Sequence, residues 1–191
     1  MKSRSARTAD LNTDQEMTLA FKRYEEVKGL LPESVYRCLK AIDQEGMTKV
    51  AEIDPACADG ESLHQVYAVP YEKELNCLVV AGSRGEETTY AALLVPYGKR
   101  ASMNSVVRTP LNAKKVVFAD LDHVIQTTGM EFGSITPVGL PEGWKILAEE
   151  TILEQETVII GGGKVCSKIE IPVALLKKLP GFTAVKGLAK E

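Results

Sequence analysis

Residues 75–95 read LNCLVVAGSRGEETTYAALLV, the longest strand-like stretch of the sequence. Two apolar runs of strand length, residues 75–81 and 89–95, are separated by Gly-Ser-Arg-Gly and two glutamates, which predicts a β-hairpin. Both runs are apolar on both faces, so we expect them in the centre of a sheet that is covered on both sides.

Shorter elements flank this hairpin along the chain. Further strands are predicted at residues 48–53, 115–119, 144–148, 157–160, 165–171 and 182–188. Helices are predicted from residue 32 to a stop at Gly46 and at residues 59–67, 121–128 and 172–179, with a short acidic helix before residue 157. Because strands come in hairpins with helices between them, the expected class is α+β: a single domain whose mixed, largely antiparallel central sheet is flanked by helices.

The first residues are predicted to form an extension, residues 1–31, ahead of a main domain at residues 32–191. A helix is expected over residues 14–28, because Leu19, Phe21 and Tyr24 recur at roughly helical spacing after a Thr-Asp cap. This helix could pack on its own domain. Alternatively, the chain is a partner-binding protein that docks elsewhere through these three side chains.

The composition is that of an ordinary globular protein. Of 191 residues, 45% are apolar and 26% charged, with a net charge of −3, which argues against a generally basic nucleic-acid coat. There is no apolar run long enough for a membrane span, and no apolar stretch follows the basic start as in a signal peptide. The cysteines form no CxxC pair, so we expect a cytoplasmic protein with reduced thiols: Cys38, Cys57, Cys77 and Cys166.

The charge is distributed unevenly along the chain. Residues 1–97 hold 11 Lys and Arg against 16 Asp and Glu, and residues 98–191 hold 12 against 10, so the two parts carry −5 and +2. The last part is rich in lysine, including Lys164 and Lys168. Such a run is either a solvated face or a landing surface for phosphates, and both interpretations stay open.

Familiar catalytic and metal-binding patterns do not occur in the sequence. His64 and His123 are interpreted as surface or helix-end residues. With scattered cysteines they give no zinc-ligand spacing, so neither a metal nor a cofactor is expected. Residues 161–164, GGGK, follow a predicted strand, but the alternation after them favours a hairpin turn over a phosphate loop.

Residues 128–141, TGMEFGSITPVGLP, form the most informative segment. Glycine lets a backbone approach a ligand closely, and proline stiffens a loop. A rigid loop of this kind suits the binding of a carboxyl or ester oxygen. On composition alone, a structured connector between a helix and a strand fits equally well.

This loop resembles the signature loop of the YbaK/ProX/EbsC family of aminoacyl-tRNA deacylases, which are related to the editing domain of bacterial prolyl-tRNA synthetases. The resemblance covers roughly residues 33–188. It implies an aminoacyl pocket between the loop and the central strand and hydrolysis of the ester of a mischarged small amino acid on tRNA. The split into an acidic first part and a mildly basic second part then suggests contact with only the acceptor end of a tRNA, near Lys164 and Lys168. The substrate-binding residues that it implies are Gly133, Ser134, Thr136, Pro137 and Gly162.

The sequence departs from the family pattern at the start of the central strand. The family has a lysine there, and the matching positions read Asn76-Cys77-Leu78. The Asn76 amide can donate a hydrogen bond to a carbonyl or phosphate oxygen, but it carries no positive charge. Asn76 is therefore the candidate catalytic position, with weaker transition-state stabilisation expected than from a charged donor.

Two functions follow from the resemblance. The chain is either an active deacylase in which loop amides and a bound water carry out hydrolysis, or a module that binds an aminoacylated tRNA or a small aminoacyl ligand after its chemistry was lost or changed. Loss of the amino acid from a panel of mischarged tRNAs would separate the two.

Overall fold

The computed structural model describes residues 18–191, which form two main β-sheets, a small third sheet and short helices. The strands are β1 (Lys22–Arg23), β2 (Lys49–Glu52), β3 (Leu75–Arg84), β4 (Glu87–Pro96), β5 (Arg100–Ala101), β6 (Lys115–Phe118), β7 (Lys145–Glu149), β8 (Thr157–Gly161), β9 (Ser167–Pro172), β10 (Phe182–Val185) and β11 (Ala189–Lys190). The α-helices are α1 (Glu33–Ile42), α2 (Gly60–Tyr67), α3 (Ser105–Arg108), α4 (Leu121–Thr128) and α5 (Val173–Leu176). Segments of 3-10 helix lie at Tyr24–Leu30, Pro55–Cys57 and Glu150–Glu154.

The predicted hairpin forms the centre of the larger sheet, whose strand order is β10-β7-β4-β3-β6. Strands β3 and β4 pair antiparallel over ten residues, from Leu75 opposite Pro96 to Arg84 opposite Glu87. Strand β6 adds antiparallel to β3, whereas β7 runs parallel to both β4 and β10. The predicted α+β class with a mixed, largely antiparallel sheet is confirmed.

The second sheet has the order β1-β2-β9-β8 and is antiparallel throughout. The predicted turn at residues 161–164 lies between β8 and β9, as expected for a hairpin. The two sheets meet where the Ile159 amide donates to the Lys73 carbonyl at 2.8 Å, just before β3 begins. This contact brings β8 and β9 beside the start of the central strand.

Strand β4 is covered on both faces, as its apolar sequence predicts. Leu94 belongs to a core cluster shared with the second sheet, α1 and the 128–141 loop. The neighbouring Leu93 points to a second cluster on the opposite face, with Val107, Leu147 and Leu188. Successive residues of a strand point to opposite faces, so two apolar residues in a row require cover on both sides.

The prediction of a helix over residues 14–28 is wrong for residues 18–28. Residues 14–17 lie outside the residues that the structure describes. Strand β1 pairs with β2, and the 3-10 segment that follows has non-helical angles at Val27. Tyr24 is buried and donates a hydrogen bond to the Asp43 carbonyl, so tertiary packing overrides the helical spacing. Leu19 and Phe21 also pack on this chain, against a third core cluster.

Several helix ends follow from local chemistry. The Asp120 carboxylate accepts from the His123 amide at 2.9 Å, and Gly129 takes φ +68° after α4, as predicted. Helix α1 ends at Ile42, earlier than predicted, because the buried Asp43 carboxylate binds the amides of residues 47 and 48 at 2.9 and 2.7 Å. Burial works to raise the pKa of Asp43, but these hydrogen bonds outweigh it and hold the pKa below its ordinary value.

The remaining predicted elements are found with shifted bounds. Helix α5 is shorter than predicted, and β10 ends before the predicted residue 188. The acidic helix before residue 157 is a 3-10 segment. Within residues 18–191, every helix is too short or too polar to cross a bilayer.

Candidate functional site

A cavity of about 460 Å³ opens beside the first half of β3, where the two sheets separate. On one side of this gap, β8 contacts Lys73 through Ile159; on the other, the Ala119 amide donates to the Val79 carbonyl at 3.0 Å. Between these contacts, no other strand within residues 18–191 pairs with this edge of β3. The cavity therefore lies against an open strand edge.

The backbone of Cys77 faces this gap. The Glu74 carbonyl accepts from the Tyr97 amide at 2.8 Å, so even-numbered residues at the start of β3 direct their backbone groups toward β4. Odd-numbered residues then direct theirs to the other edge, which places the N–H and C=O of Cys77 at the cavity. An edge N–H of this kind can donate to a ligand oxygen.

The wall opposite β3 is formed by the loop after α4, through Phe132, Gly133 and Ile135. Gly133 has φ +87°, a conformation that favours glycine. The loop is tied to the β8–β9 turn: the Gly163 amide donates to the Ser134 carbonyl at 2.8 Å, and the Glu131 amide donates to the Gly163 carbonyl at 2.9 Å. These bonds hold the loop at a fixed distance from the strand edge.

A buried ion pair lies in the cavity wall. The Lys168 Nζ of β9 is 2.8 Å from the Glu74 Oε1, and both side chains are about nineteen-twentieths buried. The other carboxylate oxygen, Glu74 Oε2, has no hydrogen-bond partner within the described residues. Gly161 pairs directly with Lys168 across the two strands and adds no side chain beside the lysine.

The cavity wall also contains the Asp59 carboxylate and the Cys77 thiol. Asp59, at the start of α2, accepts from the Ser62 amide and hydroxyl, and these hydrogen bonds hold the Asp59 pKa below its ordinary value. Burial raises the pKa of the Cys77 thiol to about 12. This shift favours the protonated thiol at neutral pH, which disfavours Cys77 as a nucleophile.

The mouth of the cavity is apolar and aromatic. Phe118, at the end of β6, is 63% exposed, and Phe132 of the loop is 69% exposed. Both line the cavity together with Leu121 of α4. Exposed aromatic faces beside a cavity that contains charged groups are suited to stacking on a planar group.

Three of the predicted site residues line this cavity: Asn76, Gly133 and Lys168. Ser134 and Thr136 are buried and do not line it. The Ser134 hydroxyl accepts from the Gly162 amide at 3.1 Å, so both residues hold the loop against the turn. Thr136 has no exposed surface, and its amide lies 3.5 Å from the Met130 sulfur.

Pro137 lines a second, larger cavity of about 780 Å³ on the far side of the loop, between α1 and Trp144. Its walls include Arg37, Glu142 and Lys145. The Lys145 ammonium already donates to the Pro110 carbonyl at 2.7 Å. The cavity beside β3 is the better candidate, because a buried charge pair and an open strand edge converge there on one small space.

The two predicted tRNA-contact lysines are placed differently from each other. The Lys164 Nζ donates to the Gly29 carbonyl at 2.8 Å and ties the turn to the N-terminal segment. Lys168 is not on the surface, contrary to the solvated or phosphate-facing positions expected for it. Strand β9 is central in its sheet, and the face that carries Lys168 is covered by the start of β3.

Sequence reasoning missed several residues of the cavity. Glu74 gave a signal, since an acidic residue immediately precedes an apolar strand, but its partner lies 94 residues away. The sequence contains no signal for Gly60 and Tyr97. The Tyr97 ring packs so closely on Gly60 that a Cβ there would overlap it, and this contact is visible only in the folded chain.

Comparison with known proteins places the sequence in a family. The sequence model of the family described as "Aminoacyl-tRNA editing domain" matches residues 54–179, well over half of the chain. A proline–tRNA ligase of Fervidobacterium nodosum is 27% identical over 117 residues, which make up 61% of this chain and 19% of the ligase. The chain thus spans about a fifth of the length of that curated relative.

Solved structures share the fold. The protein APE2540 superposes with a TM-score of 0.71 at 20% identity, covering 83% of this chain and 100% of that one. A candidate trans-editing enzyme for prolyl tRNA synthetase gives 0.68 at 20% identity, covering 84% and 99%. The resemblance noted in the loop is confirmed, and the chain belongs to the aminoacyl-tRNA editing domain family.

Proposed function

We propose that this protein hydrolyses, in trans, the ester that joins a mischarged small amino acid to its tRNA. The observation that carries the proposal is the cavity beside β3, which brings Asn76 and Gly133 to one space at an open strand edge. The similar proteins named for prolyl-tRNA ligation and editing support the same substrate class.

The size and charge of the cavity fit an aminoacyl group. Its volume, about 460 Å³, is that of a small-ligand site. The charged residues among those that line it are Asp59, Glu74 and Lys168, which sum to −1. An aminoacyl ester brings an α-ammonium group of charge +1, so the filled site would be close to neutral.

The mouth of the cavity fits the end of a tRNA. The aminoacyl group is attached to the terminal adenosine, so a base must lie just outside the pocket that holds the amino acid. Phe118 and Phe132 offer exposed rings at that position. Stacking of a base on an aromatic side chain contributes about 1–3 kcal/mol and needs no particular sequence.

In the proposed reaction, water attacks the ester carbonyl carbon and the bond to the ribose oxygen breaks. The products are the free amino acid and the tRNA with its terminal hydroxyl restored. The Asn76 amide and the Cys77 backbone N–H donate to the carbonyl oxygen as negative charge develops on it, and the Gly133 segment confines the water. A neighbouring tRNA hydroxyl assists the proton transfer to the leaving oxygen.

The second candidate is a module that binds the aminoacyl end without hydrolysing it. Asn76 favours this candidate, because a neutral amide stands where the resemblance implies a lysine. Charge-assisted hydrogen bonds are about twice as strong as neutral ones, so the neutral amide alone gives less stabilisation of an oxyanion.

The test is deacylation of a panel of mischarged tRNAs, including tRNA for proline that carries other small amino acids. We expect turnover of at least one, and a drop of about 100-fold in kcat/KM for Asn76→Asp, which replaces the donor by a repelling carboxylate. Asn104→Asp is the matched control, because Asn104 caps α3 outside the cavity and aspartate caps equally well. Binding without turnover on every tRNA would favour the module instead.

A further inference from the structure

The ion pair between Glu74 and Lys168 is the least expected feature of the cavity. Both partners are buried, and burying two charges costs several kcal/mol per ion unless geometry and hydrogen bonding compensate. A buried pair is therefore weak evidence for stability. Its position in the wall of a ligand-sized cavity points to a role in binding or chemistry.

The hydrogen bonding of the pair is incomplete within the described residues. A lysine ammonium has three N–H donors, and the Lys168 Nζ has a single partner, Glu74 Oε1. Glu74 Oε2 has none. Buried hydrogen-bond donors and acceptors without partners cost free energy. We therefore expect a ligand in the cavity to form hydrogen bonds with the Lys168 ammonium and Glu74 Oε2.

The surroundings keep the lysine in place beside the cavity. Gly161, directly opposite Lys168 on β8, lines the cavity and carries no side chain. The lysine comes from a strand with neighbours on both sides, β2 and β8, so its backbone is fixed. Asn76 lines the same cavity from β3.

We propose that Lys168 is the cation of this active site: its Nζ–H donates to the ester carbonyl oxygen as that oxygen becomes negative, and Glu74 is the positioning residue that holds the ammonium there. Asn76 of β3 carries no positive charge, and Lys168 of β9 supplies that charge instead. This inference rests on the proposed function and names the group that would make hydrolysis feasible with an asparagine at position 76. No proton is transferred from Lys168 in this step.

The test compares two adenosine analogues in binding, so that it does not depend on turnover. One carries a tetrahedral anionic aminophosphonate in place of the ester, and the other a neutral, uncleavable amide. The variant is E74Q/K168M, which removes both charges together and leaves no buried charge without a partner. Lys178→Met is the control, because Lys178 is an exposed lysine that does not line the cavity.

We expect the double variant to bind the phosphonate about 100-fold more weakly than the unchanged chain, with the affinity for the amide changed less than about threefold. Lys178→Met should leave the ratio of the two affinities unchanged. An equal ratio in the double variant and the unchanged chain would overturn the role of Lys168 and leave the proposed function standing. Failure of the unchanged chain to bind either analogue would overturn both.

Discussion

Replacing Gly139 by alanine is expected to destabilise the fold by about 3 kcal/mol, the sum of roughly 1–2 for a left-handed backbone and 1–3 for overpacking. Gly139 has φ +78°, and a Cβ there would lie 2.6 Å from the backbone carbonyl of Ser34 in α1. Neither the loop backbone nor the helix backbone can shift easily to relieve this contact. Thermal unfolding should show a Tm about 9 °C lower, at roughly 2–4 °C per kcal/mol for a chain of this size.

Gly143→Ala is the matched control for this prediction. Gly143 has φ +83°, yet a Cβ there meets no atom within 4 Å, so the variant carries the backbone strain alone. It should cost about 1 kcal/mol. Equal losses for the two variants would show that the contact between the loop and α1 is not close in solution.

Gly161→Ala is expected to lower kcat/KM for deacylation by about 100-fold, because a displacement of about 1 Å in an active site can cost that much. A Cβ at Gly161 would lie 2.7 Å from the Ser134 carbonyl oxygen and 2.9 Å from its carbon. These are backbone atoms of the loop that carries Gly133. The loop must therefore move away from β8, and Gly133 moves with it.

Stability and rate together make this prediction specific. The cost of the Gly161 variant to stability should stay within about 1–3 kcal/mol, so the protein remains folded for the assay. Gly29→Ala, at a site with no atom within 4 Å of the added Cβ, should change neither quantity. An unchanged rate for Gly161→Ala would mean that the loop position does not matter to the reaction.

Much of the architecture follows from patterns within single elements. The apolar runs around residues 75–95 are long enough to require the centre of a sheet, and the Asp120 cap and Gly129 delimit α4 by local hydrogen bonding. The 128–141 loop is recognisable because glycine and proline are the residues that suit the backbone conformations of a tight, rigid loop. Such features depend on neighbours close in the sequence, so the sequence predicts them well.

The charged part of the site depends on contacts that no local pattern encodes. Alternation along β9 predicts that Lys168 faces away from Ile169, but it does not say what covers that face. The cover comes from Glu74, 94 residues earlier. Similarly, the spacing of Leu19, Phe21 and Tyr24 suits a helix, whereas pairing of β1 with Val50 of β2 and burial of Tyr24 decide otherwise.

A crystal structure with an uncleavable 3′-aminoacylamino-adenosine bound would show directly where the aminoacyl group lies. We expect the aminoacyl group beside β3, between Asn76 and Gly133, with its carbonyl oxygen toward Lys168 and the adenine against Phe132. Binding of the analogue in the second cavity, between α1 and Trp144, would contradict the assignment of the site.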